Sequence, residues 1–149
     1  MIEIVEIRKD RKRYLGLLLM ADEQESMIDR YIARGDMFAA VADGQVCGVC
    51  VVTDEGGGTA EIKNLAVEPA WRGRGVGRMM VNFVRRRCRG RFSRLTVGTG
   101  DSPSTVPFYE RCGFRRSHTV KDFFVDNYDH PIVEAGVVLH DMVYFSMDV

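Results

Sequence analysis

A glycine-rich turn at residues 72–78, Arg-Gly-Arg-Gly-Val-Gly-Arg, is the part of the sequence best suited to chemistry. Its glycines leave several backbone N–H groups unshielded by side chains, and a helical apolar pattern follows it. Unpaired N–H groups and the positive end of a helix dipole together bind anions at such a position. With three arginines adding charge, the turn predicts a diphosphate site. On the glycines alone, a plain strand-to-helix connection explains it equally well.

Two familiar nucleotide-binding motifs do not fit this turn. The phosphate loop of NTPases ends in Gly-Lys-Ser or Gly-Lys-Thr, whereas Arg78 and Met79 follow Gly77 here. The dinucleotide-binding fingerprint requires a further glycine where Arg78 stands. The turn therefore belongs to neither of these classes.

The cysteines and histidines are weaker candidates. Cys47 and Cys50 have the two-residue spacing of redox and zinc sites, but they lie in an apolar run, 45–53, that predicts a strand. Strand residues three apart point to opposite faces, so we expect the two sulfurs to diverge and to be buried structural cysteines. The histidines lack metal-ligand spacing, and we expect no metal site; they are His118, His130 and His140.

The hydrophobic pattern predicts the elements that position the turn. Strands are predicted near residues 2–7, 37–42, 45–53, 59–67, 94–98, 114–125 and 136–147, and helices near 14–20, 27–35, 75–88 and 104–112. Asp43-Gly44 is a strong hairpin signal between two of these strands. The order indicates an α/β fold with a mixed, mainly antiparallel sheet of about seven strands and about four helices. A chain of 149 residues predicts a single domain, 1–149.

Two blocks of the sequence resemble the GNAT superfamily of acyl-CoA-dependent N-acetyltransferases. The run 65–69, Leu-Ala-Val-Glu-Pro, followed by Arg72-x-x-Gly75-x-Gly77, matches every fixed position of its coenzyme-A signature, Gln/Arg-x-x-Gly-x-Gly/Ala. Residues 102–114 are similar to its second block, with agreement at Tyr109, Gly113 and Phe114 and with Ser102 and Thr105 in place of Asn and Ala. With the element order, the resemblance covers nearly the whole chain.

The resemblance implies that acetyl-CoA is the co-substrate and that no metal is needed. In this family the fourth and fifth strands splay apart and the pantetheine arm lies between them. Backbone amides around Val76 and Gly77 would bind the pyrophosphate, and main-chain groups of Leu65 and Val67 would bond the arm as an added strand. Ser102 would contact the arm or, alternatively, cap a helix. The implied coenzyme-binding residues are Leu65, Val67, Arg72, Gly73, Arg74, Gly75, Val76, Gly77, Arg78 and Ser102.

The resemblance also implies two residues for proton transfer. Tyr109 matches the family's general acid, which protonates the departing thiolate; the alternative is a core tyrosine, because it shares a helical stripe with Phe108 and Cys112. Glu61 matches the strand-four glutamate that acts as a base in the histone-acetylating branch. We expect it to share a strand face with Leu65 and Val67, and its alternative role is a cross-strand ion pair. An ordered water is the other possible base.

A dense arginine run supports a rival interpretation. It consists of Arg85, Arg86, Arg87, Arg89, Arg91 and Arg94. A nucleic-acid-binding module would use such a run, a helix C-terminus attracts arginines through its dipole, and a third use is contact with the coenzyme's 3′-phosphate. Only one aromatic residue, Phe92, is near, and the formal net charge is zero, which argues against nucleic acid. A regulatory CoA-binding module without transferase activity is the other alternative.

Composition gives the remaining expectations. With 46% hydrophobic and 28% charged residues, no apolar run that could span a membrane and no signal-peptide core at the start, the sequence predicts a cytoplasmic globular protein. The acidic segments 22–25 and 122–129 favour a cationic amine as acceptor, from a small molecule or a peptide, because in this family both regions border the acceptor pocket. The closing strands, 114–125 and 136–147, are rich in aromatic residues and valine and leave a sheet edge to be covered. Because members of the resembled family often dimerise, the resemblance implies a homodimer.

Overall fold

A seven-stranded sheet forms the centre of the computed structural model, which describes residues 1–149. In chain order the strands are β1 (Ile2–Glu6), β2 (Asp36–Ala42), β3 (Gln45–Gly56), β4 (Thr59–Val67), β5 (Arg94–Gly100), β6 (Arg115–Val120), β7 (Val133–Glu134), β8 (Val137–Val138) and β9 (Met142–Asp148). The spatial order is β1-β2-β3-β4-β5-β9-β6, and β7 and β8 form a separate hairpin. Every pair is antiparallel except β4–β5. The predicted mixed, mainly antiparallel sheet is confirmed.

Five α-helices accompany the sheet: α1 (Leu15–Ala21), α2 (Glu25–Ile28), α3 (Val76–Cys88), α4 (Val106–Arg111) and α5 (Phe123–Asn127). Short 3-10 turns lie at Arg11–Tyr14 and Pro69–Trp71. No helix is long and apolar enough to cross a membrane.

Hydrophobic clusters cover both faces of the sheet. On one face, which we call the α3 face, Val76, Met80 and Val84 of α3 pack with Tyr109 of α4 against strand residues such as Phe145. On the opposite face, which we call the α1 face, Leu18 and Ile28 pack against Met37, Val49 and Val51. Alternation along each strand therefore decides which side of the molecule a side chain serves.

Four register shifts interrupt that alternation, and two of them move cysteines or predicted site residues to another face. Ala40 pairs with Gly48 while Val41 pairs with Val46, so Cys47 is an extra residue in β3. Cys47 and Cys50 consequently belong to the same cluster on the α3 face, and the predicted divergence of their sulfurs is wrong. All four cysteines are free and buried, as expected, and burial raises the pKa of each thiol.

The second bulge lies in β4. Val51 pairs with Asn64 while Val52 pairs with Ile62, so Lys63 has no partner position on β3. The side chains before and after Lys63 therefore fall out of simple alternation.

Several predicted elements are shorter than expected. The helix predicted up to Gly35 is regular only over Glu25–Ile28 and continues as turns, although its apolar residues are buried as predicted. The strand predicted over 114–125 ends at Val120, because Asp122 turns in the left-handed region, with φ 57°, and donates its amide to the Asp141 carboxylate at 2.8 Å. The strand predicted over 136–147 is divided into β8 and β9.

Candidate active site

A cleft opens in the sheet between β4 and β5. The parallel ladder pairs Thr59 with Arg94 and ends at Ile62 with Val97, although β4 continues to Val67 and β5 to Gly100. The last residues of both strands therefore diverge, and residues 63–67 have no strand partner on the β5 side. This confirms the predicted splay. Main-chain groups left unpaired inside a sheet are suited to bonding an extended ligand.

The start of α3 lies directly after β4 and carries a row of free amides. The backbone N–H groups of Gly73 through Arg78 donate to no acceptor in the protein, and no side chain caps the helix. Gly73 and Gly75 have φ of 75° and 81°, a region that glycine tolerates and other residues rarely adopt. A Cβ at either glycine would meet no atom within 4 Å, so the turn is not packed against other parts of the protein there. Such a row binds an anion.

Gly77 is required for a different reason from its neighbours. Its φ is not positive, but a Cβ there would lie 3.0 Å from Cζ of Phe108. The glycine thus lets α3 approach α4 closely, which places the ring of Phe108 beside the amide row. The glycines of the motif therefore have two different roles: Gly73 and Gly75 allow the turn with its free amides, and Gly77 allows the close packing of α3 on α4.

The three arginines of the turn are arranged unequally. The Arg72 side chain folds back and donates from Nε to the carbonyl of Val67 at 3.2 Å. The Arg74 guanidinium lies 4.8 Å from the centre of the Trp71 ring. Arg78 lies near enough to the Cys112 thiol to lower its pKa, although burial still dominates and raises it. Only Arg78 therefore extends from the turn toward α4.

Leu65 and Val67 lie in the part of β4 that has no partner on the β5 side. Both side chains pack against the cluster on the α3 face, which fixes the strand segment that borders the cleft. Cys50 of β3 pairs with Leu65, so the Cys50 thiol lies beside Leu65 at the same position along the strands.

Tyr109 lies on α4 and belongs to the same α3-face cluster as Cys50 and Leu65. It is 8% exposed, and its ring packs edge-on against Phe114 at 5.8 Å between centroids. Its hydroxyl forms no hydrogen bond with another side chain. Burial raises its pKa well above the ordinary value, with smaller contributions from Cys50 and Cys112, so the phenol stays protonated at any physiological pH. Tyr109 is therefore a core residue whose hydroxyl is nevertheless free to donate a proton.

Glu61 lies on the opposite face from Leu65 and Val67. Its strand neighbours Ala60 and Ile62 belong to the α3 face, and the bulge at Lys63 returns Leu65 and Val67 to that same face. The expectation that the three residues share a face is therefore wrong, because it assumed unbroken alternation. Glu61 is 9% exposed and forms an ion pair with Lys63 at 2.9 Å.

Sequence reasoning missed the residue that faces Glu61. Tyr144 of β9 pairs with Gly98, the first residue of β5 beyond the ladder with β4. A Cβ at Gly98 would lie 3.0 Å from the Tyr144 ring, so the glycine lets that ring lie against the opening of the cleft. Burial, with the charges of Glu61 and Glu55, raises the pKa of Tyr144 to about 12. A glycine inside a predicted strand was the available signal.

His118 completes the aromatic surface on this face. Its ring stacks on Tyr144 with centroids 4.7 Å apart and an interplanar angle of 4°. Ser117 bonds to Nδ1 of His118 at 2.9 Å. One face of the Tyr144 ring is therefore covered by His118. The opening of the cleft has these two rings on one side and the ion pair of Glu61 and Lys63 on the other.

The two acidic segments meet over the α1 face. The Tyr128 hydroxyl donates to Asp22 at 2.5 Å, and Tyr31 donates to the other oxygen of that carboxylate at 2.9 Å. Tyr31 in turn accepts from Asn64, the residue after the bulge in β4. His130 contacts both Asp129 and Glu23, whose carboxylates hold the imidazole pKa above its ordinary value. Most of the acids expected to attract a cationic acceptor are thus paired within the protein.

Ser102 is engaged in its own loop. It is 2% exposed, its hydroxyl lies 2.8 Å from that of Ser104, and it accepts from the Ser104 amide at 3.1 Å. Helix α4 begins four residues later, after Thr105, without a side-chain cap. The hydroxyl therefore shapes the approach to α4 and does not cap it.

The arginine run does not form one surface. Arg87 pairs with Glu6 and Arg91 with Asp36, both toward the first strands of the sheet. Arg85 points to the other side of α3, toward β9. The residues spread around the helix, as its periodicity requires. No cluster of three or more histidine, cysteine, aspartate or glutamate side chains could hold a metal.

Comparison with known proteins defines the family. A family model described as an acetyltransferase (GNAT) domain matches residues 33–116. An uncharacterised N-acetyltransferase of Bacillus subtilis is 33% identical over 134 residues, which cover 89% of this chain and 86% of that protein. The chain belongs to the GNAT family and is an acetyltransferase.

Solved structures agree with this assignment. A GNAT family acetyltransferase from Elizabethkingia anophelis, with acetyl-CoA bound, superposes with a TM-score of 0.94 at 31% identity and covers 99% of this chain and 98% of its own. An IAA acetyltransferase from Bacillus cereus has a TM-score of 0.94 at 34% identity, with complete coverage of both chains. A Bacillus subtilis acetyltransferase in complex with CoA has a TM-score of 0.92 at 30% identity, with 100% of this chain and 99% of its own covered.

Proposed function

We propose that this protein transfers the acetyl group of acetyl-CoA to a primary amine of a small molecule or peptide by direct attack. The observation that carries the proposal is the row of free amides from Gly73 to Arg78 at the end of the open cleft between β4 and β5. A diphosphate fits the row, and an extended thioester arm fits the unpaired strand edge beyond it.

The coenzyme is proposed to use main-chain groups more than side chains. The amides around Val76 and Gly77 bind the pyrophosphate with the favourable end of the α3 dipole, and Arg78 adds charge. The pantetheine arm follows Leu65 and Val67 on the free side of β4. This places the thioester at the level of Cys50, where the Tyr109 hydroxyl is available.

The reaction needs no covalent enzyme intermediate. The lone pair of the neutral amine attacks the thioester carbon, the carbon–sulfur bond then breaks, and the electron pair leaves on sulfur. Tyr109 gives its proton to the thiolate, while the attacking nitrogen loses a proton to a base. The products are the acetamide and free CoA, so atoms and charge balance.

Glu61 is the proposed base, directly or through an ordered water. It lies on the α1 face beside the point where the ladder ends, and Lys63 orients its carboxylate at 2.9 Å. Tyr109 approaches from the α3 face, so the acid and the base act on opposite sides of the thioester. This separation suits a reaction in which one proton is accepted and another is donated in the same step.

The acceptor is proposed to enter from the α1 face. Tyr144 and His118 form a flat aromatic surface there. Glu61 lies next to the opening, and its carboxylate, unlike that of Asp22, does not accept hydrogen bonds from two tyrosine hydroxyls. An amine carried on an apolar or aromatic group matches this surface better than a polycation, because Asp22, Glu23 and Asp129 are already paired.

An acceptor panel tests the proposal. Purified protein with acetyl-CoA is offered small amines, amino sugars, peptides with free N-termini and lysine derivatives, and free CoA thiol is measured. We expect at least one amine class to release thiol well above the rate of acetyl-CoA hydrolysis, with the acetamide confirmed by mass spectrometry. Tight CoA binding without acceleration by any amine would instead favour a regulatory CoA-binding module.

A further inference from the structure

A series of side-chain contacts bridges the cleft on the α1 face, from β4 to β5. On the β4 side, Asn64 donates from Nδ2 to the Tyr31 hydroxyl at 3.1 Å, and Tyr31 donates to Asp22 at 2.9 Å. On the β5 side, Tyr128 donates to the other oxygen of Asp22 at 2.5 Å. Tyr128 packs in a small hydrophobic cluster with Phe124, Ile132 and Leu139. We call this series, from Asn64 through Asp22 to Leu139, the arch.

The β5 end of the arch rests on Gly100, the last residue of that strand. A Cβ at Gly100 would overlap Cδ1 of Leu139, so the leucine lies directly against the strand. Leu95 and Val97 belong to the α3-face cluster, and alternation places Gly100 on the opposite side of the sheet. Leu139 therefore contacts β5 from the α1 face.

The β4 end of the arch is fixed on the same face. Asn64 is 3% exposed, and its Nδ2 also donates at 3.0 Å to the carbonyl of Leu18, a member of the α1-face cluster. The ladder between β4 and β5 ends at Ile62 with Val97, so the arch spans the part of the cleft where the two strands are not bonded to each other. Leu65, which follows Asn64, marks the position proposed for the thioester.

Asp22 is the main link between the two halves of the arch. Tyr31 belongs to the α1-face cluster and Tyr128 to the small cluster beside β5, and the two clusters are separate. The bonds at Asp22 are partly buried, and charged acceptors make strong hydrogen bonds there. The other bonds between these segments are exposed and contribute less; they join Asp129 to Gln24, Arg30 to Asn127 and His130 to Glu23.

We propose that Asp22 is a specificity-determining residue, which closes the arch over the part of the cleft where the thioester is proposed to lie. It acts through the two phenols that it joins. The closed arch is a wall of the acceptor site, so the body of the acceptor extends toward Tyr144 and His118. A second bulky group on the amine-bearing carbon meets the arch and is rejected. The inference rests on the proposed function, because it requires an acceptor that enters from the α1 face.

Hydrogen exchange of the full chain, followed by mass spectrometry, tests whether Asp22 holds the arch closed. Asp22→Ala removes both acceptors, so amides within residues 124–139 should exchange about tenfold faster or more. Asp22→Asn accepts from one phenol and can donate to the other, so exchange should stay within about threefold of wild type. Tyr128→Phe should act like Asp22→Ala. Its matched control is Tyr14→Phe, which removes a hydroxyl that is not part of the arch and should change nothing there.

Two primary amines test the effect on specificity. Benzylamine carries one phenyl ring on the amine-bearing carbon, and benzhydrylamine carries two. For each, kcat/KM is measured by release of CoA thiol from acetyl-CoA. The ratio of benzhydrylamine to benzylamine should rise about fivefold or more in Asp22→Ala and in Tyr128→Phe, and stay within about twofold in Asp22→Asn and Tyr14→Phe. Tyr128→Phe decides the question if Asp22→Ala does not fold.

The outcomes separate this inference from the proposed function. Unchanged exchange or an unchanged amine ratio in both Asp22→Ala and Tyr128→Phe would overturn the inference and leave acetyl transfer in place. Equal changes in Tyr128→Phe and Tyr14→Phe, or reaction of neither aromatic amine in any of these proteins, would overturn it too. Failure of every amine of the acceptor panel, in the wild type and in all variants, would refute the proposed function itself.

Discussion

Gly75→Ala separates the anion-binding role of the α3 turn from its conformational role. Gly75 has φ 81°, and a Cβ there would meet no atom within 4 Å. The substitution therefore causes no clash, and its cost to folding is the left-handed conformation alone, about 1–2 kcal/mol. For a chain of this size that corresponds to a fall of roughly 3–6 °C in Tm.

Gly44→Ala is a matched control, because Gly44 in the β2–β3 hairpin has φ 75° and the same open surroundings. Both variants should lose similar stability in thermal denaturation. Only Gly75 lies within the row of free amides, so we expect its added methyl group, and not that of Gly44→Ala, to obstruct the diphosphate. Loss of one charge-assisted hydrogen bond weakens binding by about tenfold or more, so calorimetry with CoA should show that loss in Gly75→Ala and none in Gly44→Ala. Equal CoA affinities in the two variants would refute the proposed diphosphate site.

Three other predictions concern catalysis and assembly. Tyr109→Phe keeps the ring and removes the free hydroxyl, so turnover should fall about 10²–10⁴-fold with unchanged CoA affinity; turnover within threefold of wild type would make Tyr109 a core residue only. Glu61→Gln should lower turnover strongly at neutral pH, whereas Lys63→Gln, which breaks the same ion pair but keeps the carboxylate, should lower it far less; equal effects would indicate a structural ion pair. Light scattering should give twice the chain mass of 16.9 kDa, and a monomer mass would contradict the predicted homodimer.

The fold was predictable where local signals agree, and the register was not. The Asp43-Gly44 hairpin, the turn before α3 and the divergence of β4 from β5 all follow from short patterns or from the resemblance they carry. The bulges at Cys47 and Lys63 leave no comparable mark, because an extra residue in a strand is set by its partner strand. One unseen residue in β4 was enough to assign Glu61 to the wrong face.

Contacts distant in sequence were equally hidden. Tyr144 belongs to β9, two strands away from β4, and its ring borders the cleft because Gly98 of β5 leaves room for it. Asp22 bonds to Tyr128, which lies more than a hundred residues later in the chain. Neither pairing produces periodicity in the sequence. The acidic segments therefore looked like free charge, although the fold pairs most of them internally.

The bulge at Lys63 also has a consequence for how the protein can change. It allows one strand to present Leu65 and Val67 to the α3 side and Glu61 to the α1 side within seven residues. Substitutions that reshape the aromatic surface at Tyr144 and His118 do not touch the main-chain groups and glycines on the other side. If the acceptor enters from the α1 face as proposed, a lineage carrying this strand can exchange one acceptor for another while its donor stays the same, and both reactants can be bound at once through separate entrances.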